Sequence, residues 1–212
     1  MLDWITVNKQ SSIRIAGSRI LYFDPLEIPA EPHDADMIFI THEHYDHFSP
    51  TDIGKLRKPG TRIFAPESMK DKLTEMLPGA GETAITFVTP GDCVETDGIS
   101  VSAVPAYNVG KPFHTKERGW VGYLVVMDGT TYYVMGDTDE NPDNRKIRCD
   151  VLLIPIGGTY TMDTLNAATY IHLIRPKYVV PTHYGSIVGT PGDGEVLKTL
   201  VDPEIPIVRK LG

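Results

Sequence analysis

The chain has 212 residues, 41% of them hydrophobic and 23% charged, with a formal net charge of -8. Such values fit a globular domain with room for one substantial core, and the acidic balance speaks against tracking nucleic-acid phosphates, which needs a basic face. No apolar segment approaches the ~20 residues of a membrane span, and residues 1–7 lack the basic and apolar regions of a signal peptide. A cytoplasmic, single-domain protein spanning residues 1–212 is therefore expected, without nucleic-acid or membrane partners and with its oligomeric state undetermined. Cys93 and Cys149 lie far apart with no CxxC spacing and are expected to be buried free thiols.

In chain order, residues 5–8, 12–16 and 19–23 read as an antiparallel meander with Gly17-Ser18 as a turn, ended by Asp24-Pro25. The apolar run Met37-Ile38-Phe39-Ile40 reads as a short buried strand. It delivers the chain into Thr41-His42-Glu43-His44-Tyr45-Asp46-His47, three imidazoles and the Asp46 carboxylate within six residues. Open sheets commonly carry their sites on loops leaving strand ends, and neutral imidazoles with a hard oxygen ligand suit Zn, Fe or Mn. In extended chain, His42 and His44 point the same way; Asp46 and His47 follow once the chain begins to turn and can face a second position.

Residues 50–57 then suggest a short helix, 62–65 a strand, and 67–77 an amphipathic helix closed by Pro78-Gly79. Strands are expected at 85–88, 92–95 and 99–104. Two further strands, 119–127 and 130–135, flank Asp128-Gly129, a type I′ hairpin signal, and the second runs into Gly136-Asp137-Thr138-Asp139. After them come strand 151–154, helix 164–174, strand 178–180 leading into Pro181-Thr182-His183-Tyr184, helix 194–200 and a final strand at 207–209. Strands and then helices in each half fit two sheets packed face to face with helices outside, one option among several.

The pattern His42-x-His44-x-Asp46-His47 resembles the signature of the metallo-β-lactamase fold superfamily. That resemblance implies a mixed α/β (α+β) fold, a four-layer αββα sandwich with the site along one edge of the β core. It also implies roles: His42 and His44 on one metal, Asp46 and His47 on a neighbouring one, Asp137 bridging in its Gly-Asp context, and His183 as the last ligand. One position departs from the family. Where a further histidine is expected after strand 99–104, the chain has Asn108, and His114 lies six residues on. Three readings stay open: His114 as the displaced ligand, Asn108 as a weak oxygen ligand, or a first metal held loosely or absent.

Within the superfamily the chain looks most like the short ascorbate-6-phosphate lactonase-like branch, through Phe113-His114, Gly119-Trp120, Asp137-Thr138 and the run from Ile154 to Met162. Gly157-Gly158-Thr159-Tyr160-Thr161 reads equally as a plain turn capped by Thr161 or Asp163 or as a pocket wall offering the Tyr160 hydroxyl. The chemistry so implied is hydrolysis by a metal-activated hydroxide, one or two Zn per chain with Mn or Fe as alternatives, acting on an ester, lactone or phosphodiester. Asp46 would orient the water and move its proton. Tyr184, Tyr107 and Asn108 are expected near the developing oxyanion, and Asp24, Thr41 and Thr182 are candidate holders of the imidazoles. Lys111, Lys116 and Arg118 beside His114 suggest a small anionic substrate. The competing classes are an iron-dependent oxidoreductase on the same ligands and a non-catalytic metal-binding module.

Overall fold

The computed structural model describes residues 1–77 and 85–211. In chain order its elements are β1 (Ile5–Val7), β2 (Ile13–Ala16), β3 (Ile20–Phe23), β4 (Ala35–Phe39), α1 (Pro50–Leu56), β5 (Arg57–Pro66), α2 (Lys70–Met76), β6 (Ile85–Val88), β7 (Cys93–Thr96) and β8 (Ile99–Pro105). There follow β9 (Val121–Met127), β10 (Thr130–Val134), β11 (Val151–Pro155), α3 (Thr164–Ile174), β12 (Tyr178–Thr182) and α4 (Asp193–Leu200).

The strands form two sheets. The first runs β1-β2-β3-β4-β5-β6, antiparallel through β3 and parallel from there to β6. The second runs β12-β11-β10-β9-β8-β7, antiparallel from β7 to β10 with β11 and β12 parallel to β10. Alternation along the central strands explains how they stack, since successive side chains take opposite faces. Met37 and Phe39 of β4 meet Tyr132 and Val134 of β10 and Val151 and Leu153 of β11 in the layer between the sheets. Ile38 and the following Ile40 face the other way, onto Ile53, Leu56 and Leu73 of α1 and α2. Tyr133, Leu152 and Ile154 likewise turn to Ala167, Ile171 and Leu197 of α3 and α4. The result is the four-layer αββα sandwich.

Local signals explain most boundaries. Ser49 caps α1 by accepting from Asp52 N (3.2 Å), with Pro50 at the first helical position. Asp163 caps α3 by accepting from Asn166 N (2.8 Å). Asp128 and Gly129 both take positive φ, 52° and 74°, as a type I′ turn requires.

Three elements differ from expectation. β5 starts at Arg57 rather than residue 62, because Thr61 Oγ1 donates to Ala35 O (2.6 Å) and accepts from Lys58 N (2.9 Å), drawing the approach to the strand alongside β4. The helix expected over 67–77 opens as a 3-10 turn at Glu67–Met69, where Pro66 provides no side-chain cap, before α2 begins; its proposed stop at Pro78-Gly79 lies outside the described residues. The final strand reduces to an isolated bridge between Val179 and Ile207, since Pro206 has no N–H with which to extend a ladder.

Both cysteines are free but neither is fully buried: Cys93 is exposed, and Cys149 is partly buried, enough to push its thiol up to about 12. Iodoacetamide at pH 8 is therefore expected to label the native protein at Cys93 and to reach Cys149 after denaturation. Peptide mapping that finds Cys149 alkylated at a comparable rate in the native protein would contradict this.

Candidate metal centre

The histidine-rich loop leaves β4 under tight restraint. Thr41 N and Thr41 Oγ1 both donate to Asp24, at 2.8 and 2.7 Å, which anchors the loop to the end of β3. His47 N and Phe48 N then both donate to His44 O (3.0 and 2.9 Å), folding the chain so that Asp46 and His47 turn away from His42 and His44. Asp137 arrives from the end of β10 through Gly136, whose φ is +65° and where a Cβ would lie 3.0 Å from Thr41 Cβ. That glycine lets the two loops touch. His183 follows β12 with φ +56°, its N–H donating to Gln10 O (3.0 Å). Beneath it runs Gly157, where a Cβ would sit 2.3 Å from His183 O; any side chain there would displace the His183 backbone.

These loops bring seven side chains into two adjoining groups: His42, His44, His114 and Asp137, and Asp46, His47 and His183, the candidate ligand atoms within each group lying no more than 4.8 Å apart. Asp137 faces both. Its Oδ2 is 3.9 Å from His42 Nε2, 3.4 Å from His114 Nε2 and 3.3 Å from His183 Nε2, while Oδ1 is 3.3 Å from His47 Nε2. Asp46 Oδ2 lies 3.3 Å from His183 Nε2 and 3.6 Å from His47 Nε2. Surrounding hydrogen bonds select the imidazole tautomers. His47 Nδ1 donates to Asp24 (2.7 Å), leaving Nε2 for the cluster. Thr41 Oγ1, its proton committed to Asp24, accepts from His42 Nδ1 (3.0 Å), leaving His42 Nε2 likewise.

The donor set fits a metal. His47 Nε2, His114 Nε2 and Asp137 Oδ1 are buried without a hydrogen-bond partner, an arrangement that is costly unless a cation engages them. Burial holds His114 down to about 4 against the pull of Asp137, so its ring is neutral at physiological pH. Burial, reinforced by the other imidazoles, also holds His42 well below its ordinary value. For Asp137, burial works upward but the surrounding histidines prevail and keep the carboxylate ionised. Burial works downward on His47, yet Asp137 and Asp24 outweigh it and raise its pKa.

The groups open onto a cavity of about 590 Å³, within the range of small-molecule sites. His44, Asp46, His114, Asp137 and His183 contribute to its lining, together with Tyr45, Phe113, Thr159, Tyr160, Ile187, Val188 and Gly189.

Several expected roles are displaced. Tyr184 is not at the cavity: its hydroxyl donates to Leu211 O (3.2 Å), and the ring packs under Gly194. Tyr107 donates to Asp143 (2.9 Å) instead of facing the cluster. Asn108 is buried behind His114 with both Nδ2 protons committed, to Phe113 O (3.1 Å) and Tyr160 O (2.7 Å), so it donates nothing to a reacting oxygen. The three cations are answered by carboxylates or rings. Lys111 binds Asp139 (2.7 Å), Lys116 binds Asp143 (2.9 Å), and Arg118 lies 3.9 Å from Glu43 and over Trp120. Asp24 and Thr41 hold imidazoles as described, whereas Thr182 contributes its backbone carbonyl, to Ile156 N (3.1 Å). Two supporting residues receive no role from the sequence, although Trp120 belongs to one of the motifs that carry the branch resemblance. Trp120 packs on His42, His44 and His114 at centroid distances of 4.8, 4.9 and 5.4 Å, and Gln10 anchors His183 from the β1–β2 turn.

Two facing sheets flanked by helices, with loop-borne His and Asp side chains gathered at the strand ends, define a metallo-β-lactamase-type metalloprotein. The beta-lactamase superfamily domain matches residues 5–183. The chain is 31% identical over 214 residues to a UPF0173 metal-dependent hydrolase of Thermococcus kodakarensis, covering 92% of this chain and 90% of that protein. It is 30% identical over 208 residues to one of Pyrococcus abyssi, with the same coverage. Among solved structures, a protein of Parabacteroides distasonis whose name assigns it to the metal-dependent hydrolases superposes with a TM-score of 0.81 at 28% identity, over 98% of this chain and 93% of that one. Igni18 of Ignicoccus hospitalis, a metallo hydrolase, shares the fold with a TM-score of 0.78 at 23% identity, over 97% and 93% of the two chains. The chain belongs to the metallo-β-lactamase superfamily, and its relatives there are named metal-dependent hydrolases.

Proposed function

We propose that the chain is a metal-dependent hydrolase that opens an ester, lactone or phosphodiester bond with water, using two metal ions, zinc first among the candidates. The observation that carries this reading is Asp137: one buried carboxylate faces imidazoles of both groups. In it, His42, His44 and His114 would hold one ion and Asp46, His47 and His183 the other, with the Asp137 carboxylate available to both. His114 thereby replaces the histidine that Asn108 displaces. Bound in this way, the metal supplies a Lewis acid and lowers the pKa of water toward ~7.

The chain's own residues contribute orientation and proton handling. Asp46 lines the cavity and is ionised, since burial, which opposes ionisation, is outweighed by His183 and His47. It can therefore accept a proton from a water molecule that enters the cavity. Asp24, through Thr41 and His47, keeps the imidazoles in the tautomers that offer Nε2. Trp120 blocks the imidazole rings of His42, His44 and His114 from shifting.

Elemental mass spectrometry of protein purified without added metal, followed by turnover of p-nitrophenyl acetate, γ-butyrolactone and bis-p-nitrophenyl phosphate, tests this. The expected result is about two ions per chain and hydrolysis of at least one probe that is abolished by chelation and restored by Zn²⁺. Bound iron with oxygen consumption and no hydrolysis would move the assignment to an oxidoreductase. Tight metal binding with no turnover across the panel would leave a binding module.

A further inference from the structure

Resting on the hydrolase reading, we infer that the site selects substrates carrying an uncharged apolar or aromatic group beside the scissile bond, and that Asn108 is the positioning residue that builds the surface receiving it. Besides the metal ligands, Thr159 and Gly189, the cavity is lined by large aromatic and aliphatic side chains, most of them open to solvent. Tyr45 is 72% exposed, Phe113 45%, Ile187 40% and Tyr160 38%, and all four line the cavity. Large apolar side chains gathered at the mouth of a polar site mark a surface that a ligand covers. Phe113 and Tyr160 form an edge-to-face pair, with centroids 5.0 Å apart at 88°.

The two rings come from separate loops, one between β8 and β9 and the other between β11 and α3. Asn108 ties those loops together: its Nδ2 donates to the carbonyls of the same two residues, Phe113 and Tyr160. A histidine at position 108 could not donate two hydrogen bonds from one nitrogen. The departure from the family's pattern therefore has a structural consequence, a preformed aromatic surface whose ordering cost is met before a ligand arrives. Lys111 secures the same loop by donating to Thr161 O (2.8 Å).

Charge agrees. No Lys or Arg lines the cavity among the described residues, and the nearby cations are matched as described above. A carboxylate or phosphate on the substrate's tail would meet no side-chain cation there, so the small anionic substrate expected from Lys111, Lys116 and Arg118 is replaced by one with a neutral apolar tail.

Calorimetric titration of the zinc-loaded protein with acetohydroxamate, benzohydroxamate and 4-carboxybenzohydroxamate separates this inference from the reading it rests on. The three share a metal-binding head and differ in tail. Benzohydroxamate is expected to bind about tenfold more tightly than acetohydroxamate, as burial of a phenyl ring requires, with the carboxylated probe weaker than benzohydroxamate. Phe113→Ala and Asn108→Asp are each expected to reduce the benzo-to-aceto ratio to about twofold or less; Phe113→Ala keeps the test decisive if Asn108→Asp does not fold. Equal affinity for the two neutral probes, a preference for the carboxylated one, or an unchanged ratio in Phe113→Ala would overturn the inference and leave the metal site standing. If the chain cannot be loaded with zinc and no probe binds, the hydrolase reading fails and takes the inference with it.

Discussion

Asp137→Asn is expected to weaken zinc binding by at least about 100-fold, measured by competition with a chromophoric chelator. Losing a side chain that merely orients a metal ligand already costs about 10–100-fold, and Asp137 faces both groups directly. Its carboxylate lies within 3.3 to 3.9 Å of four imidazoles, so the substitution removes the carboxylate charge that both groups face. The metal-free proteins provide a second readout. His47, raised above its ordinary 6.5, contributes stability that is fully present below that value and is lost as pH rises through its folded-state pKa. Asp137, depressed below its ordinary 3.8, contributes stability present above that value and lost as pH falls through its folded-state pKa. Between about pH 4 and 6.5 both contributions act in the metal-free wild type, and Asp137→Asn is expected to lose most of its stability relative to wild type in that window. An affinity within threefold of wild type would remove Asp137 from the centre of the site.

Phe39→Ala is expected to destabilise the protein by about 3–5 kcal/mol, read from the denaturant midpoint of the metal-free chain. Phe39 is fully buried and stacks between Phe23 and Phe64, with centroids 4.6 and 4.9 Å away, while Tyr123 of the opposite sheet meets it at 5.1 Å. Truncation removes the ring joining three strands of one sheet to the other and leaves a cavity that rigid strands cannot collapse to fill. The loss is a large share of the ~5–15 kcal/mol that a domain commands. It also reaches the site, because Asp24 N donates to Phe39 O (2.9 Å) and Tyr123 Oη to Ile40 O (2.8 Å). A change below 1 kcal/mol would mean that the layer between the sheets repacks freely.

Much of this molecule is written locally. The spacing of His42, His44, Asp46 and His47 announces metal chemistry because ligands within six residues of one loop need only a turn to converge. The Asp128-Gly129 hairpin is legible because positive φ at two successive positions suits few residues. Buried strands such as 37–40 and 151–154 are legible as apolar runs. Their period of two is hidden, since both faces are buried between a sheet and a helix layer; which residue faces which layer is settled only when the sheets stack.

The roles of Asn108 and Tyr184 show where local reading ends. Tyr184 adjoins His183 in the sequence and Asn108 stands where the family pattern has a histidine, and both are expected at the reacting oxygen. Tyr184 is drawn instead to Leu211 O, at the far end of the chain, and Asn108 to Tyr160 O, 52 residues away. Lys111, Lys116 and Arg118 read as a basic patch until packing sets Asp139, Asp143 and Glu43 against them. Residue types and spacing within a few positions suffice for the histidine-rich loop, the hairpin and the apolar strands, because each rests on local backbone preference. Packing chose between His114 and Asn108, turned the Asp137 carboxylate toward both groups as the family resemblance implies, and gathered Tyr45, Phe113, Tyr160 and Ile187 at the cavity. Those outcomes depend on loops far apart in sequence being brought together at the ends of two packed sheets, where direction and distance, rather than residue type, select each partner.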